Sequence, residues 1–249
     1  MVIEMARDAS PRPFSSLWEV DSSATKSIFV RENLMLTYGN IATHFDATRR
    51  RPWPATVDFI KVFSKGDHII DIGCGNGRNA VYMAGRGFRV TGLDMSPELL
   101  ELATENAREK EVGHLCDFIH GDMTELPFND DEFDGGLYIA SLHHLGTNDE
   151  RLASLNELSR VLRPGAWALL TVWDRDLEKF RELLDIWEKH LLFERGDVFI
   201  PWKSGVNEWP RYYHLFTDDE FRTLLEMSDL VVDGTFRSGE NHYGKVQKR

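Results

Sequence analysis

The sequence predicts an α/β protein with a doubly wound, mostly parallel sheet of seven strands that ends in an antiparallel hairpin. Apolar runs of strand length alternate with helical patterns from His68 onward, which is typical of strand-helix-strand units with right-handed crossovers. The run 68–72 then passes directly into three glycines spaced two apart, and a helical pattern begins at Arg78. Such a loop lets backbone approach a ligand, so we expect the ligand at the C-terminal edge of the sheet.

The helices are predicted from periodicity and from capping residues. A helical pattern starts at Asn33, and Pro54 suits the first turn of a second helix that ends near Phe63. Ser96 as N-cap with Pro97 behind it, and Thr217 with Glu220 as a capping box, mark two further starts. The remaining helices are predicted at 78–86, 148–162 and 175–193.

The strands are predicted where apolar or β-branched runs end in turn residues. The first five are expected to be parallel, and the last two surround the turn at Ser238 and Gly239 and form the hairpin. The third strand falls at an edge of the sheet in this topology. The predicted strands are 68–72, 88–93, 115–120, 133–140, 166–173, 230–236 and 243–247.

Length and composition favour one domain. The chain has 249 residues, within the range of a single α/β domain. Residues 1–30 are expected to form an N-terminal tail or cover, and 31–249 the catalytic domain, with 194–216 as an insert on the substrate side. No apolar run approaches the ~20 residues that span a bilayer and no signal peptide is visible, so we expect a cytoplasmic protein without a membrane partner.

Cysteine content and charge restrict the function further. Two cysteines outside any C-x-x-C pair predict neither a disulfide framework nor a metal site. A net charge of −12 argues against indiscriminate nucleic-acid binding, although a local basic patch is still allowed. Such a patch would form one basic track on the surface from the residues Arg49, Arg50, Arg51, Lys203, Arg211, Lys245, Lys248 and Arg249, although the sequence does not show that they converge.

The glycine loop and three acidic residues predict the cofactor. The spacing departs from the dinucleotide pattern, because Arg78 stands where its third glycine belongs. Asp71, Asp94 and Asp122 close three successive strands and would meet at one rim, where they suit the amino group, ribose and adenine of S-adenosylmethionine. Taken singly, each is also explained as a turn or cap residue. The expected cofactor contacts are Asp71, Gly73, Cys74, Gly75, Asn76, Gly77, Asp94, Met95, Asp122 and Met123.

Several motifs carry a resemblance to known families. Residues 71–77, 92–94, 121–123 and 162–165 resemble the class I methyltransferases, which implies a Rossmann-like fold. Residues 41–49, 52–54, 141–145, 197–202 and 211–216 resemble more narrowly the tRNA wobble-uridine methyltransferases. That resemblance implies conversion of 5-carboxymethyluridine in the tRNA anticodon loop to its methyl ester. It also implies a small zinc-binding activator, which we expect on the third-strand edge at Leu115, Phe118 and Ile119.

Arg49, His143 and His144 are the candidate catalytic residues. A carboxylate acceptor is ionised near pH 7 and needs no general base, but it needs a cation such as Arg49 to orient it. One histidine could hydrogen-bond the substrate while the other is structural, and the sequence does not separate them. Tyr38 and His44 are expected to close over the cofactor, with a core contact equally open for Tyr38.

Other functions stay open at this point. The chain could methylate a small carboxylic acid or another metabolite, which its acidic charge suits. It could also be a non-catalytic, cofactor-binding partner subunit. Trp202, Tyr212 and Tyr213 could stack on anticodon bases, or they could form the core of their own insert.

Overall fold

A seven-stranded sheet with helices on both faces forms the centre of the protein. The computed structural model describes residues 23–188, 194–204 and 207–249. The elements are α1 Ser23–Thr48, α2 Pro54–Phe59, β1 His68–Ile72, α3 Arg78–Ala84, β2 Arg89–Asp94, α4 Pro97–Glu109, β3 Cys116–His120, β4 Phe133–Ile139, α5 Asn148–Val161, β5 Leu162–Trp173, α6 Arg181–Trp187, β6 Asp197–Ser204, β7 Asn207–His214, α7 Asp218–Met227, β8 Leu230–Ser238 and β9 Asn241–Lys248. Strand order is β3-β2-β1-β4-β5-β9-β8, parallel except for β9, which confirms the predicted topology and edge position of β3.

The described part of helix α1 already includes Ser23, ten residues before the predicted start at Asn33. The predicted tail boundary at residue 30 therefore falls inside a helix, while residues 1–22 lie outside the described part of the chain. The apolar pattern fails at this end because the buried face includes Lys26, which is only 5% exposed, whereas Ile28 lies on the outside. Apolar periodicity does not reveal the first turns of a helix when a lysine occupies a buried position there and an isoleucine an exposed one.

The predicted helix 175–193 is shorter than expected. The Asp176 N–H donates to the Asp174 carboxylate, so the chain turns after β5 before a 3₁₀ turn at Glu178–Phe180 leads into α6. Residues 189–193 lie outside the described ranges. The end of the predicted helix is therefore untested.

The aromatic insert forms a two-stranded hairpin, β6 and β7, whose inner side chains belong to a core shared with α1. Tyr212 is fully buried and its hydroxyl donates to Asp197, so it is a core residue and does not stack on bases. Asp197 also binds Lys26 of α1 at 2.5 Å and His214 at 2.7 Å. This charge cluster fixes the hairpin to the first helix.

Strand β9 separates basic residues of the predicted track. Because β9 is antiparallel, Asn241 pairs with Trp173 at the C-terminal edge of the sheet, whereas Lys248 pairs with Leu230. Lys248 binds Asp131 at the opposite edge, about 20 Å away along the strand. No helix among the described residues is long and apolar enough to cross a membrane.

Candidate active site

A cavity of about 690 Å³ opens at the C-terminal edge of the sheet, covered by α1 and the β6–β7 hairpin. This is where parallel α/β sheets bind ligands. Of the residues proposed from the sequence, the lining includes Tyr38, Arg49, Gly73, Cys74, Gly75, Asn76, Asp94, Met95, Met123, His143 and His144. Residues that the sequence did not place there include Arg78, Asn79, Trp173 and Asn241, and Tyr213, one of the three aromatic residues considered for base stacking, also lines the cavity.

The glycine loop is as tight as its sequence requires. Gly73 has a φ of +69°, and a Cβ there would lie 2.3 Å from the Cβ of Ser141, so no other residue fits. Gly77 is the N-cap of α3 with a φ of +73°, and a Cβ would lie 2.9 Å from the Cβ of Ala103. Gly77 is not among the lining residues, and its close approach to Ala103 shows that it is needed for packing.

Asp94 is oriented by two backbone amides. One carboxylate oxygen accepts from the Gly75 N–H at 2.8 Å and the other from the Ser96 N–H at 3.0 Å. Burial raises the pKa of this carboxyl, and the hydrogen bonds from the amides oppose that shift. Each oxygen keeps a lone pair for a further donor, which fits the paired hydroxyls of a ribose.

Asp71, which is predicted to contact the amino group of the cofactor, is not among the residues that line the cavity. It is fully buried, and neither carboxylate oxygen accepts a hydrogen bond within the described structure. Burial raises the pKa of Asp71 to about 7, and the nearby Arg78 charge opposes the shift. The carboxyl therefore titrates near neutral pH.

Asp71→Asn should stabilise the cofactor-free protein at pH 8 and have little effect at pH 4. The unfolded chain releases this proton near pH 3.8 but the folded protein releases it near 7, so stability falls as pH rises between those values. The gain at pH 8 is at most about 4 kcal/mol. Urea unfolding of both proteins at the two pH values measures it, and an equal difference at both would contradict the assignment.

Two further predicted contacts lie elsewhere. The Asp122 carboxylate binds Arg31 of α1 and accepts from Thr124, and it is not among the lining residues. Met123 does line the cavity, so of the two residues predicted near the adenine of the cofactor only Met123 stays a candidate. His44 accepts a hydrogen bond from the Trp202 indole at 2.9 Å and is exposed, so it holds the hairpin and does not cover the cofactor.

Asp46 joins α1 to the glycine loop. One of its oxygens accepts from the side-chain amides of Asn76 and Asn106, each at 2.8 Å. Asn76 also donates to the backbone carbonyl of Arg49 at 3.0 Å. The same contacts that fix the loop therefore set the position of Arg49. Asp46 is within a motif of the family resemblance, but its sequence position alone gave no role.

The two histidines differ in their free atoms. The Nδ1 of His144 lies 2.8 Å from the Tyr212 carbonyl and must carry its proton, so Nε2 accepts from the Tyr38 hydroxyl at 2.9 Å. His143 accepts the Trp173 N–H at Nδ1, and its Nε2, which then carries the proton, has no partner. His143 therefore lines the cavity with a buried donor that has no partner, while His144 connects α1 to β7.

Burial keeps both imidazoles neutral. It lowers the pKa of His144 to about 3 and that of His143 well below its usual value. A neutral His143 with its proton on Nε2 can donate a hydrogen bond to a ligand. It cannot act as a base through that atom.

Arg211 is the main residue that sequence reasoning misplaced, since it was assigned to a surface track. It is 6% exposed, its Nη1 donates to the Tyr213 hydroxyl at 2.5 Å and its Nε has no partner. No ion pair joins it to a carboxylate of the described residues. Its guanidinium lies 4.7 Å from the centre of the Trp202 ring, and that of Arg49 lies 5.2 Å from the same ring.

The cavity therefore contains uncompensated positive charge. Arg49 and Arg211 both line it, and neither has a carboxylate partner within the described structure. A buried cation without a counter-ion is costly, so this arrangement is complementary to an anionic ligand. Guanidinium groups bind carboxylates in a planar, bidentate geometry.

Comparison with known proteins agrees with the fold and the cavity. A family model described as a methyltransferase domain matches residues 70–170. A SAM-dependent methyltransferase from Methanosarcina mazei is similar in structure, with a TM-score of 0.69 and 25% identity over 80% of this chain and 98% of that one. The fold and site define the protein as a class I S-adenosylmethionine-dependent methyltransferase.

The curated relatives narrow the family. A tRNA (carboxymethyluridine(34)-5-O)-methyltransferase from Xenopus tropicalis is 37% identical over 86% of this chain, which spans only 40% of that protein. The enzyme of that name from Schizosaccharomyces pombe is 30% identical over 80% of this chain and 88% of its own length. The chain belongs to the family of tRNA (carboxymethyluridine(34)-5-O)-methyltransferases.

Proposed function

We propose that this protein transfers a methyl group from S-adenosylmethionine to the carboxylate of 5-carboxymethyluridine at the wobble position of tRNA. The observation that carries the proposal is the pair Arg49 and Arg211, two unpaired guanidinium groups beside the glycine loop. A carboxylate acceptor supplies the missing counter-ion. The names of the relatives support the choice of nucleoside, and the cytoplasmic location predicted from the sequence goes with this proposal.

In this reaction the residues of the cavity mainly position the acceptor relative to the methyl donor. S-adenosylmethionine supplies an activated methyl group that carries its own leaving group. The acceptor is already ionised at neutral pH, so the protein needs no base, and neutral His143 with its free Nε2–H fits that requirement. Arg49 and Arg211 hold the acceptor oxygen, and in-line alignment of this kind can lower a barrier by about 7–11 kcal/mol.

We propose that an activator subunit pairs with the edge of β3. The outer side of Cys116–His120 pairs with no other strand of the described sheet. One structurally similar protein, with a TM-score of 0.62 and 17% identity, comes from a complex with the Haloferax volcanii Trm112 methyltransferase activator. Phe118 packs inward against Gly77 and Gly92, so of the three apolar residues predicted to meet the partner only Leu115 and Ile119 stay in the proposal.

Methyl transfer to defined tRNA tests the proposed function. The protein, alone and with the small activator that co-purifies from its own cells, is incubated with labelled S-adenosylmethionine and tRNA carrying 5-carboxymethyluridine. We expect label that alkali releases as methanol, and none on the same tRNA with unmodified uridine at that position. Absence of an alkali-labile ester would contradict the proposal.

Replacement of Arg51 distinguishes a tRNA substrate from a small carboxylic acid. It is exposed at the rim of the cavity and forms no ion pair with a described residue. Arg51→Ala should raise the KM for tRNA and leave kcat within about twofold, because phosphate contacts add affinity without touching the reacting atoms. If the KM of the variant for tRNA equals that of wild type at both 50 and 200 mM salt, a surface route for tRNA past Arg51 is wrong.

A further inference from the structure

Asn241 lines the cavity and contains a buried acceptor without a partner. It is the first residue of β9, and the antiparallel direction of that strand places it at the same sheet edge as the glycine loop, in register with Trp173. The side chain is only 8% exposed, yet its Oδ1 accepts no hydrogen bond. A buried amide oxygen without a donor is unfavourable, which indicates that a ligand supplies the donor.

The surroundings of Asn241 offer the complementary donor. Trp173 pairs with Asn241 across the strands and gives its backbone N–H to His143 Nδ1, which leaves the His143 Nε2–H unpartnered in the same cavity. One acceptor and one donor, both buried, therefore flank Trp173. The neighbouring contact between the end of β5 and the start of β9 is a backbone bond, from the Asp174 N–H to the Glu240 carbonyl. It uses neither Asn241 Oδ1 nor His143 Nε2.

A uracil edge matches this arrangement. Uracil presents its N3–H as a donor between two carbonyl oxygens, whereas cytosine presents an unprotonated N3 that would face Oδ1 acceptor to acceptor. The carbonyl O4 is adjacent to C5, the atom that carries the carboxymethyl group. When Asn241 and His143 hold the base at N3 and O4, the carboxymethyl group at C5 lies beside them and faces the rest of the cavity lining. That part of the lining includes Arg49 and Arg211.

We propose that Asn241 is a specificity-determining residue that accepts the N3–H of the target uracil, while His143 donates to a carbonyl of the same base. This inference rests on the proposed function and adds the recognition of the base to it. The carboxylate is then held by the arginines and the ring by Asn241 and His143. Discrimination of this kind is strong when the wrong base leaves a buried polar group unpaired.

A substrate that keeps both carbonyls of the base but has no N3–H tests the contact. Wild type and Asn241→Ala are compared on two tRNAs, one with 5-carboxymethyluridine and one with 5-carboxymethyl-3-methyluridine, in which a methyl group replaces the N3 hydrogen. Wild type should lose about 5- to 150-fold in kcat/KM on the analogue. Asn241→Ala should lose a similar factor on the natural base and distinguish the two tRNAs by less than about threefold.

Two controls separate this role from a structural one. Gln247→Ala removes an amide from the same strand at the far edge of the sheet, where its Nε2 donates to the Gly165 carbonyl, and should retain the full discrimination of wild type. Calorimetry should give Asn241→Ala the same affinity for S-adenosylhomocysteine as wild type. If Asn241→Ala still discriminates fully between the two tRNAs, the inference is overturned alone. If wild type modifies neither tRNA, the proposed function and this inference are overturned together.

Discussion

Arg211→Met loses methyl transfer to tRNA while the protein becomes no less stable. The guanidinium is buried with no carboxylate partner among the described residues, so the folded protein bears the cost of an uncompensated charge that a methionine of similar length removes. The substrate carboxylate, in contrast, loses a buried charge partner, which costs about 2–5 kcal/mol, or about 30-fold to several thousand-fold in kcat/KM. Thermal unfolding and methyl transfer by the same preparations measure both effects.

Arg151→Met is the matched control for this prediction. Arg151 is equally buried, but it binds Glu194 and the Leu145 carbonyl and does not line the cavity. Removal of this paired arginine should destabilise the protein by about 3–5 kcal/mol. Activity below the unfolding transition should stay near that of wild type. The account of Arg211 is wrong if its variant is destabilised to the same extent as Arg151→Met.

Asp94→Asn weakens cofactor binding by about 10- to 160-fold. The substitution keeps the shape but replaces one acceptor oxygen by an NH₂ group, which meets either the Gly75 or the Ser96 N–H and cannot accept from a ribose hydroxyl. A hydrogen bond to a charged group is worth about 1.5–3 kcal/mol, which gives that factor. Titration of S-adenosylhomocysteine by calorimetry measures the dissociation constant directly.

Asp122→Asn gives the corresponding control. Asp122 also follows a strand at this rim, but its carboxylate binds Arg31 and lies outside the cavity lining. Its replacement should leave the dissociation constant within about threefold of wild type. An equal loss of affinity in both variants would mean that Asp94 acts through the packing of the loop and not through the ribose.

Local sequence signals predicted the framework of the site. The alternation of strands and helices, the caps at Ser96 and Thr217 and the three glycines depend on neighbours within a few residues, and the structure confirms them. Steric demand at Gly73 is of the same kind, because the turn itself requires glycine. The cavity edge and the position of the loop followed from these features.

The roles of individual polar residues depend on distant partners and were harder to predict. Asp71, Asp94 and Asp122 lie at the ends of three strands or just after them, yet only Asp94 lines the cavity. The Asp122 carboxylate binds Arg31 of α1, and Asp71 is fully buried. His44 is bonded to Trp202, 158 residues further along the chain. No local pattern contains such pairings.

The position of Arg211 on the inward face of β7 explains why the sequence did not predict that it is buried. Alternation along β7 turns Arg211 and Tyr213 toward the cavity and Tyr212 and His214 toward Asp197. The sequence shows that alternation, but it does not show which face the rest of the fold covers. From the sequence alone, a charged residue such as Arg211 in an aromatic strand is therefore expected on the protein surface.

Recognition of a carboxylate by the arginines is most directly tested by a binding cycle with two anticodon ligands. One carries 5-carboxymethyluridine and the other 5-carbamoylmethyluridine, which has nearly the same shape but no charge. Calorimetry with the S-adenosylhomocysteine complex compares wild type with Arg211→Met. We predict that wild type binds the carboxymethyl ligand at least tenfold more tightly and that Arg211→Met binds the two within about threefold. Equal discrimination by both proteins would contradict the assignment of this cavity to a carboxylate substrate.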